Sequence, residues 1–164
     1  LTAKQLAKAL NLEEHVEGGY FRQTFKADHR PTITTDNGNR VTMTSIYYLL
    51  SAKSPIGHFH MNQSDIMHYF HMGDPITYYM LNADGSLQTT ILGPDPSQGH
   101  QMQMMVEGGT WKASKISTSG KYGYGLIGEA VAPGFEYADM QLGKTANLIK
   151  QFPKYRTLIE ELSR

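Results

Sequence analysis

The 164-residue chain contains no cysteine, and that absence removes several chemistries at once. Without thiols there is no disulfide, no thiolate metal ligand and no cysteine nucleophile. Disulfides persist in oxidising compartments, so the lack of cysteine fits a cytoplasmic protein. An excess charge of either sign is also missing. Lys+Arg and Asp+Glu balance at 15 each, for a formal net charge of zero. With no basic run, nucleic acid is not an expected partner. No apolar stretch reaches the roughly 18 residues that a bilayer span requires, so no membrane partner is expected. The opening Leu1-Thr2-Ala3-Lys4-Gln5-Leu6 lacks the apolar core of a secretory signal, although a chain that does not begin with Met leaves a processed leader open.

Turn residues and short β-rich runs are what the sequence does contain. Sixteen glycines and seven prolines punctuate it. Between them lie segments rich in β-branched and aromatic residues, at 41–50, 66–72, 76–81, 87–92, 103–106, 111–117 and 124–132. Asn82-Ala83-Asp84-Gly85 predicts a hairpin turn, because glycine tolerates the positive φ that such turns need. Gly73-Asp74-Pro75 predicts another turn. Regular short strands with tight turns argue for a sandwich or barrel over βαβ units. The first ten residues predict a helix capped by Thr2, with Leu6, Ala9 and Leu10 as its apolar stripe. Residues 145–164 predict a helical tail, with Pro153 in a first turn and Leu158, Ile159 and Leu162 facing inward. The polar stretch from Asp28 to Arg40 reads as a mobile loop with Asp36-Asn37-Gly38-Asn39 at its tip.

Four of the seven histidines fall between His58 and His71. Side chains on a strand alternate faces, so His58 and His60 are expected to point the same way, close enough to share a metal or a ligand. Asp65, four residues past His60, brings a carboxylate of the kind that completes a His-x-His site for a divalent metal. Alternation also groups Ile66, His68, Phe70 and Met72 on one face, leaving Met67, Tyr69 and His71 on the other. His71 is expected in solvent. Tyr20 and Arg22 share a face. Arg22 offers a bidentate fork for a carboxylate or phosphate, or a salt bridge to Glu17. Trp111 offers a stacking surface for a ring.

Four segments together give these residues a family setting. They are His15-Val16-Glu17-Gly18-Gly19-Tyr20-Phe21-Arg22-Gln23-Thr24; residues 58–75, with Ser64-Asp65 and His68; residues 99–113, with Gln103, Val106, Gly109 and Trp111; and Val131-Ala132-Pro133-Gly134-Phe135-Glu136-Tyr137-Ala138-Asp139. From about residue 12 to 142 the chain resembles a cupin, and more narrowly a small single-domain cupin family of unknown function. The resemblance implies an all-β fold, a double-stranded β-helix or jelly roll, with an N-terminal helix and C-terminal helices. It also implies a homodimer and a pocket-facing His68, and the length fits one domain over 1–164. Its folds are similar to sugar-nucleotide epimerases and germin-like proteins, an analogy that does not fix function.

The chain departs from the general cupin metal pattern at two places. Lys112 stands where that pattern has its last histidine ligand, and a protonated lysine has no lone pair to offer. Ser64-Asp65-Ile66 replaces the Ser-Asp-Glu typical of the family, leaving Asp65 as the only carboxylate for the set. Three readings follow. The first is a small-molecule binding protein whose pocket uses Glu17, Arg22, His58, Gln103, Trp111 and Lys112 for a sugar-, nucleotide- or carboxylate-like ligand. The second is a carbohydrate or sugar-nucleotide isomerase or epimerase, with His60 or His68 as general base and Tyr20 or Tyr69 as acid. The third is a metal-dependent enzyme using His58, His60 and Asp65. The short ligand set counts against the third, so no cofactor is expected, with a divalent metal as the exception that reading would require.

Overall fold

The computed structural model describes residues 1–164. Helix α1 (Ala3–Ala9) begins at Thr2, whose hydroxyl accepts from Gln5 N at 3.1 Å while the Gln5 side chain accepts from Thr2 N at 2.9 Å. This reciprocal box satisfies two otherwise orphaned donors. Thirteen strands follow: β1 (Glu13–Glu14), β2 (Tyr20–Lys26), β3 (Ile33–Thr35), β4 (Gly38–Arg40), β5 (Thr44–Ser51), β6 (Ile56–Asn62), β7 (Asp65–Gly73), β8 (Ile76–Leu81), β9 (Leu87–Leu92), β10 (Gln103–Val106), β11 (Trp111–Lys115), β12 (Tyr124–Ala132) and β13 (Met140–Leu142). Helices α2 (Thr145–Gln151) and α3 (Arg156–Leu162) close the chain.

Two antiparallel sheets make a jelly roll. One runs β1-β2-β5-β12-β7-β10 and the other β13-β6-β11-β8-β9. From β5 to β8 the chain crosses between sheets at each strand, so residues distant in sequence face each other across the interior. Tyr48, Leu50, Ile76, Tyr78, Leu92 and Ile127 are among the residues that fill one end of that interior. A second cluster lies outside the smaller sheet, where Phe59, Leu81 and Ala113 pack against Leu148, Phe152, Ile159 and Leu162 of the tail. A third seats Leu6 of α1 on Leu49, Tyr124 and Leu126.

The hairpin expected at 82–85 is present, with Leu81 opposite Leu87 and Gly85 at φ +87°. The stretch that reads as a polar loop instead contains the β3–β4 hairpin. Arg40 fixes it in place through Nε and Nη2, which donate to the two Asp139 carboxylate oxygens at 2.7 and 2.9 Å. Asn37 adds a third bond to Asp139 at 3.1 Å. Asp139 is therefore committed to this clasp.

Candidate functional site

The cavity lies inside the barrel and measures about 290 Å³. Each of its walls comes from one phase of a strand. Phe21 and Gln23 enter from β2, Ile46 and Tyr48 from β5, Tyr78 from β8, Lys112 and Ser114 from β11, and Glu129 and Val131 from β12. Phe135 and Tyr137 lie at the mouth, stacked edge-to-face with ring centroids 5.0 Å apart.

Glu17 reaches the interior because of a tight turn. Gly18 and Gly19 adopt φ +104° and +79°. A β-carbon on Gly18 would lie 2.2 Å from Ile56 O, and one on Gly19 would lie 2.8 Å from Leu49 O. Only glycine permits both the left-handed backbone and that approach. The turn is held by Tyr48, whose hydroxyl donates to Gly18 O at 2.6 Å.

Hydrogen bonding assigns the protons around Glu17. His60 Nδ1 lies 2.8 Å from His58 O and must donate to it, which leaves Nε2 bare. That bare nitrogen stands 3.1 Å from Glu17 Oε1. Two acceptors face each other at that distance only if a proton lies between them, so Glu17 carries it. On its other side Glu17 Oε2 touches His15 Nδ1, which already accepts from Glu17 N at 3.3 Å. Glu17 is thus a buried carboxyl with one oxygen toward each of two imidazoles. Burial pushes its pKa up to about 7, against an ordinary 4.5. Burial also holds His15 below the usual histidine value and takes His60 down to about 4. Both imidazoles are neutral at pH 7, and Glu17 titrates there.

A second cluster lies deeper. His68 is fully buried, and its Nδ1 donates to Met104 O at 3.2 Å. Its Nε2 then accepts from Lys112 Nζ at 2.8 Å, and Lys112 also donates to Glu129 Oε1 at 3.3 Å. With no proton on Nε2, the 3.5 Å approach of His68 to Glu129 is a contact and not an ion pair. Burial and the neighbouring Lys112 take the His68 pKa down to about 3. Burial would raise the Glu129 carboxyl, but Lys112 together with His68 and His60 outweighs it and brings the value to about 2.

Of the residues singled out in the sequence, Glu17, His60 and Lys112 line the cavity, and His68 lies directly behind Lys112. The others are placed elsewhere. Opposite Ser114 and Lys112 on β11 stand Gly57 and His60, so three steps on β6 match two on its partner. This bulge breaks the alternation that pairs His58 with His60. Phe59 goes outward into the tail cluster, and His58 is held by its Nδ1 bond to Glu17 O at 2.8 Å. On β2 the alternation holds but the inward phase belongs to Phe21 and Gln23. Tyr20 packs beneath α1, and Arg22 donates to Leu10 O at 2.7 Å with its guanidinium over Tyr47. Trp111 and Lys112 are adjacent on one strand and cannot both face inward; Trp111 packs outside with the tail. Gln103 is exposed on β10, and Tyr69 and His71 are exposed on β7. Asp65 is exposed and accepts from Gly108 N at 2.9 Å.

The proposed ligands His58, His60 and Asp65 are therefore not gathered, and no group of three His, Asp or Glu side chains is arranged to hold a metal ion. The His68 lone pair and the Glu129 carboxylate, donors a metal would use, are both engaged by Lys112. The set His58, His60 and Asp65 does not fit a bound metal.

Sequence reading missed His15, Tyr48, Asn62, Tyr78 and Glu129 as cavity residues. His15 opens the first family segment without being read as a site residue, and Glu129 sits in an apolar run with no motif of its own. Register across strands brings in Glu129, opposite His68 on β7.

Comparison with known proteins agrees with this architecture. A structure of a hypothetical protein from Leishmania major superposes with a TM-score of 0.91, at 27% identity over 99% of both chains. A protein from Shewanella oneidensis gives 0.88 at 34% identity, covering 100% of this chain and 98% of that one. An uncharacterized protein of Saccharomyces cerevisiae is 34% identical over 146 residues, 83% of this chain and 72% of the yeast protein. Oxalate decarboxylase of Bacillus subtilis, a protein with Mn(II) centres, shares the fold at a TM-score of 0.56 and 15% identity, over 93% of this chain and 37% of its own. The Cupin superfamily (DUF985) family profile matches residues 4–143, and this chain belongs to that family.

Proposed function

We propose that this protein binds a small organic molecule inside the barrel. One observation carries the reading: two buried polar atoms around the cavity, Asn62 Oδ1 and Tyr78 Oη, have no hydrogen-bond partner. A buried polar group left unsatisfied costs about 1–3 kcal/mol, so such a cluster is maintained where a ligand or ordered water completes it. Aromatic and aliphatic walls beside convergent polar groups are the usual composition of a ligand site. Sugar-like compounds fit the combination of ring faces and open acceptors. The test is a thermal-shift screen of monosaccharides and sugar nucleotides, repeated with Tyr78→Phe. A compound that raises the melting temperature of the parent chain, and less so that of the variant, supports binding in the cavity. A compound that stabilises both equally acts elsewhere and counts against it.

A second reading, isomerase or epimerase, is favoured by the protonation state of Glu17. A buried carboxyl that titrates near pH 7 between two neutral imidazoles is suited to take a proton from carbon and return it. Incubating an aldose and ketose panel in deuterium oxide distinguishes the readings. Enzyme-dependent loss of a C–H signal, abolished by Glu17→Gln, supports turnover. Binding without exchange leaves a pure binding protein.

A further inference from the structure

The charges inside the barrel restrict what the cavity accepts. Three carboxylates face it, from Glu13 at the exposed rim and Glu17 and Glu129 within, against one ammonium, Lys112. Lys112 is no free anchor for an anion, because its Nζ is already shared between Glu129 and His68. The guanidinium of Arg22, the other cation that might have served, is outside over Tyr47. His15 and His60 carry no charge at neutral pH. The interior is therefore neutral when Glu17 is protonated and negative when it is ionised, and in neither state is it positive.

The open polar atoms agree. Asn62 Oδ1 is an acceptor, and the Tyr78 hydroxyl is able to accept as well as donate. Glu17 is 5% exposed and Tyr78 1%, so water does not reach them freely. We infer that the ligand of this cavity is a small non-anionic molecule that presents hydrogen-bond donors, through hydroxyl or amino groups, to Asn62 and Tyr78 beside Glu17. The inference rests on the binding reading above and narrows it, setting carboxylates and phosphates aside. The body of the ligand lies against Phe21, Ile46 and Val131, where burial of an apolar face supplies affinity.

Neutral hydroxyl and protonated amine donors are told apart by pH. Ionised Glu17 favours a cation, so an amine binds better as pH rises through 7. The groups facing Glu17 do not reverse this: His15 and His60 are neutral there, Lys112 and Glu129 compensate one another, and Tyr48 donates to Gly18 O. An alcohol has no such dependence.

The experiment uses three single-ring probes of matched size, benzylamine, benzyl alcohol and benzoate. Each is titrated into the intact chain with ligand-observed NMR at about pH 6 and pH 8. The expected result is binding of the amine, the alcohol or both, with benzoate at least about tenfold weaker. Benzylamine tightening between the two pH values, and losing that gain in Glu17→Gln, identifies the cationic source. Binding of the alcohol alone identifies the neutral one. Benzoate binding as well as the other two overturns the ligand class and leaves the binding reading intact. If none of the three binds, the binding reading itself falls.

Discussion

Replacing Glu17 by Gln makes the sharpest test of the cavity's electrostatics. Glutamine keeps the shape, and its amide donates to His60 Nε2 as the protonated carboxyl does. What it removes is the capacity to ionise. In the folded chain the Glu17 carboxyl sits at about 7, against 4.5 ordinarily. The folded state thus holds this proton more tightly than the unfolded one. Below 4.5 the group is protonated in both states and exacts nothing. As pH rises from 4.5 through 7, the unfolded chain ionises first and folding loses stability. The full loss, present above 7, is about 3 kcal/mol. Glu17→Gln should recover most of it at pH 8 and nothing at pH 4. For a chain of this size that corresponds to a melting temperature higher by roughly 6–12 °C at pH 8. His60 and His68 act in the opposite direction. Their pKa values fall from 6.5 to about 4 and about 3, so the unfolded chain takes up those protons first. Stability they contribute above 6.5 is lost as pH falls through the folded values. Both effects are common to parent and variant, so the difference between the two melting curves isolates Glu17. The assay is thermal unfolding by circular dichroism across pH 4 to 8. A difference that stays constant with pH would falsify the assignment of the buried proton to Glu17.

Three further outcomes follow from the same geometry. Lys112→Met strands an ionised Glu129 in the interior and should cost about 3–5 kcal/mol in urea denaturation, whereas Lys112→Met with Glu129→Leu should recover most of it; equal losses in both would mean the pair is not the source. Asp139→Asn should weaken the clasp on Arg40 and speed amide hydrogen exchange across β3 and β4 by at least about tenfold, with β7 and β12 unchanged; uniform acceleration everywhere would indicate global destabilisation instead. Protein purified without a tag should carry far less than one divalent metal per chain, and His60→Ala should not change the figure; near-stoichiometric metal lost in the variant would contradict the ligand geometry described above.

Much of the fold was legible because it depends on local signals. Residues 76–81, 87–92, 103–106 and 124–132 are strands at the bounds their composition suggests, and Gly85 turns the hairpin as expected. The two-residue strand β1 and the small hairpin β3–β4 carry no comparable signal. The hairpin owes its position to an ion pair with a residue 99 positions later. The site was less legible because it depends on phase. Alternation says which residues share a face but not which face is inside. On β2 the inward pair was Phe21 and Gln23, and on β11 it was Lys112 and Ser114. On β6 a single extra residue separated His58 from His60, and no composition signal marks a bulge.

Lys112 explains why a histidine-rich segment leads here to a cavity with no metal set. At the position where the general cupin pattern has a histidine, the chain supplies a cation of its own. Its ammonium satisfies the imidazole of His68 and the carboxylate of Glu129 together, and because it is covalently tethered it need not be taken up from solution. The Lys112–Glu129 pair is neutral, and Glu129 at about 2 keeps it so across the physiological range. Glu17 is then the one group in the interior whose charge changes near pH 7. The variable in this barrel is a proton, held between His15 and His60, and any ligand that enters meets a site whose charge it shifts by binding.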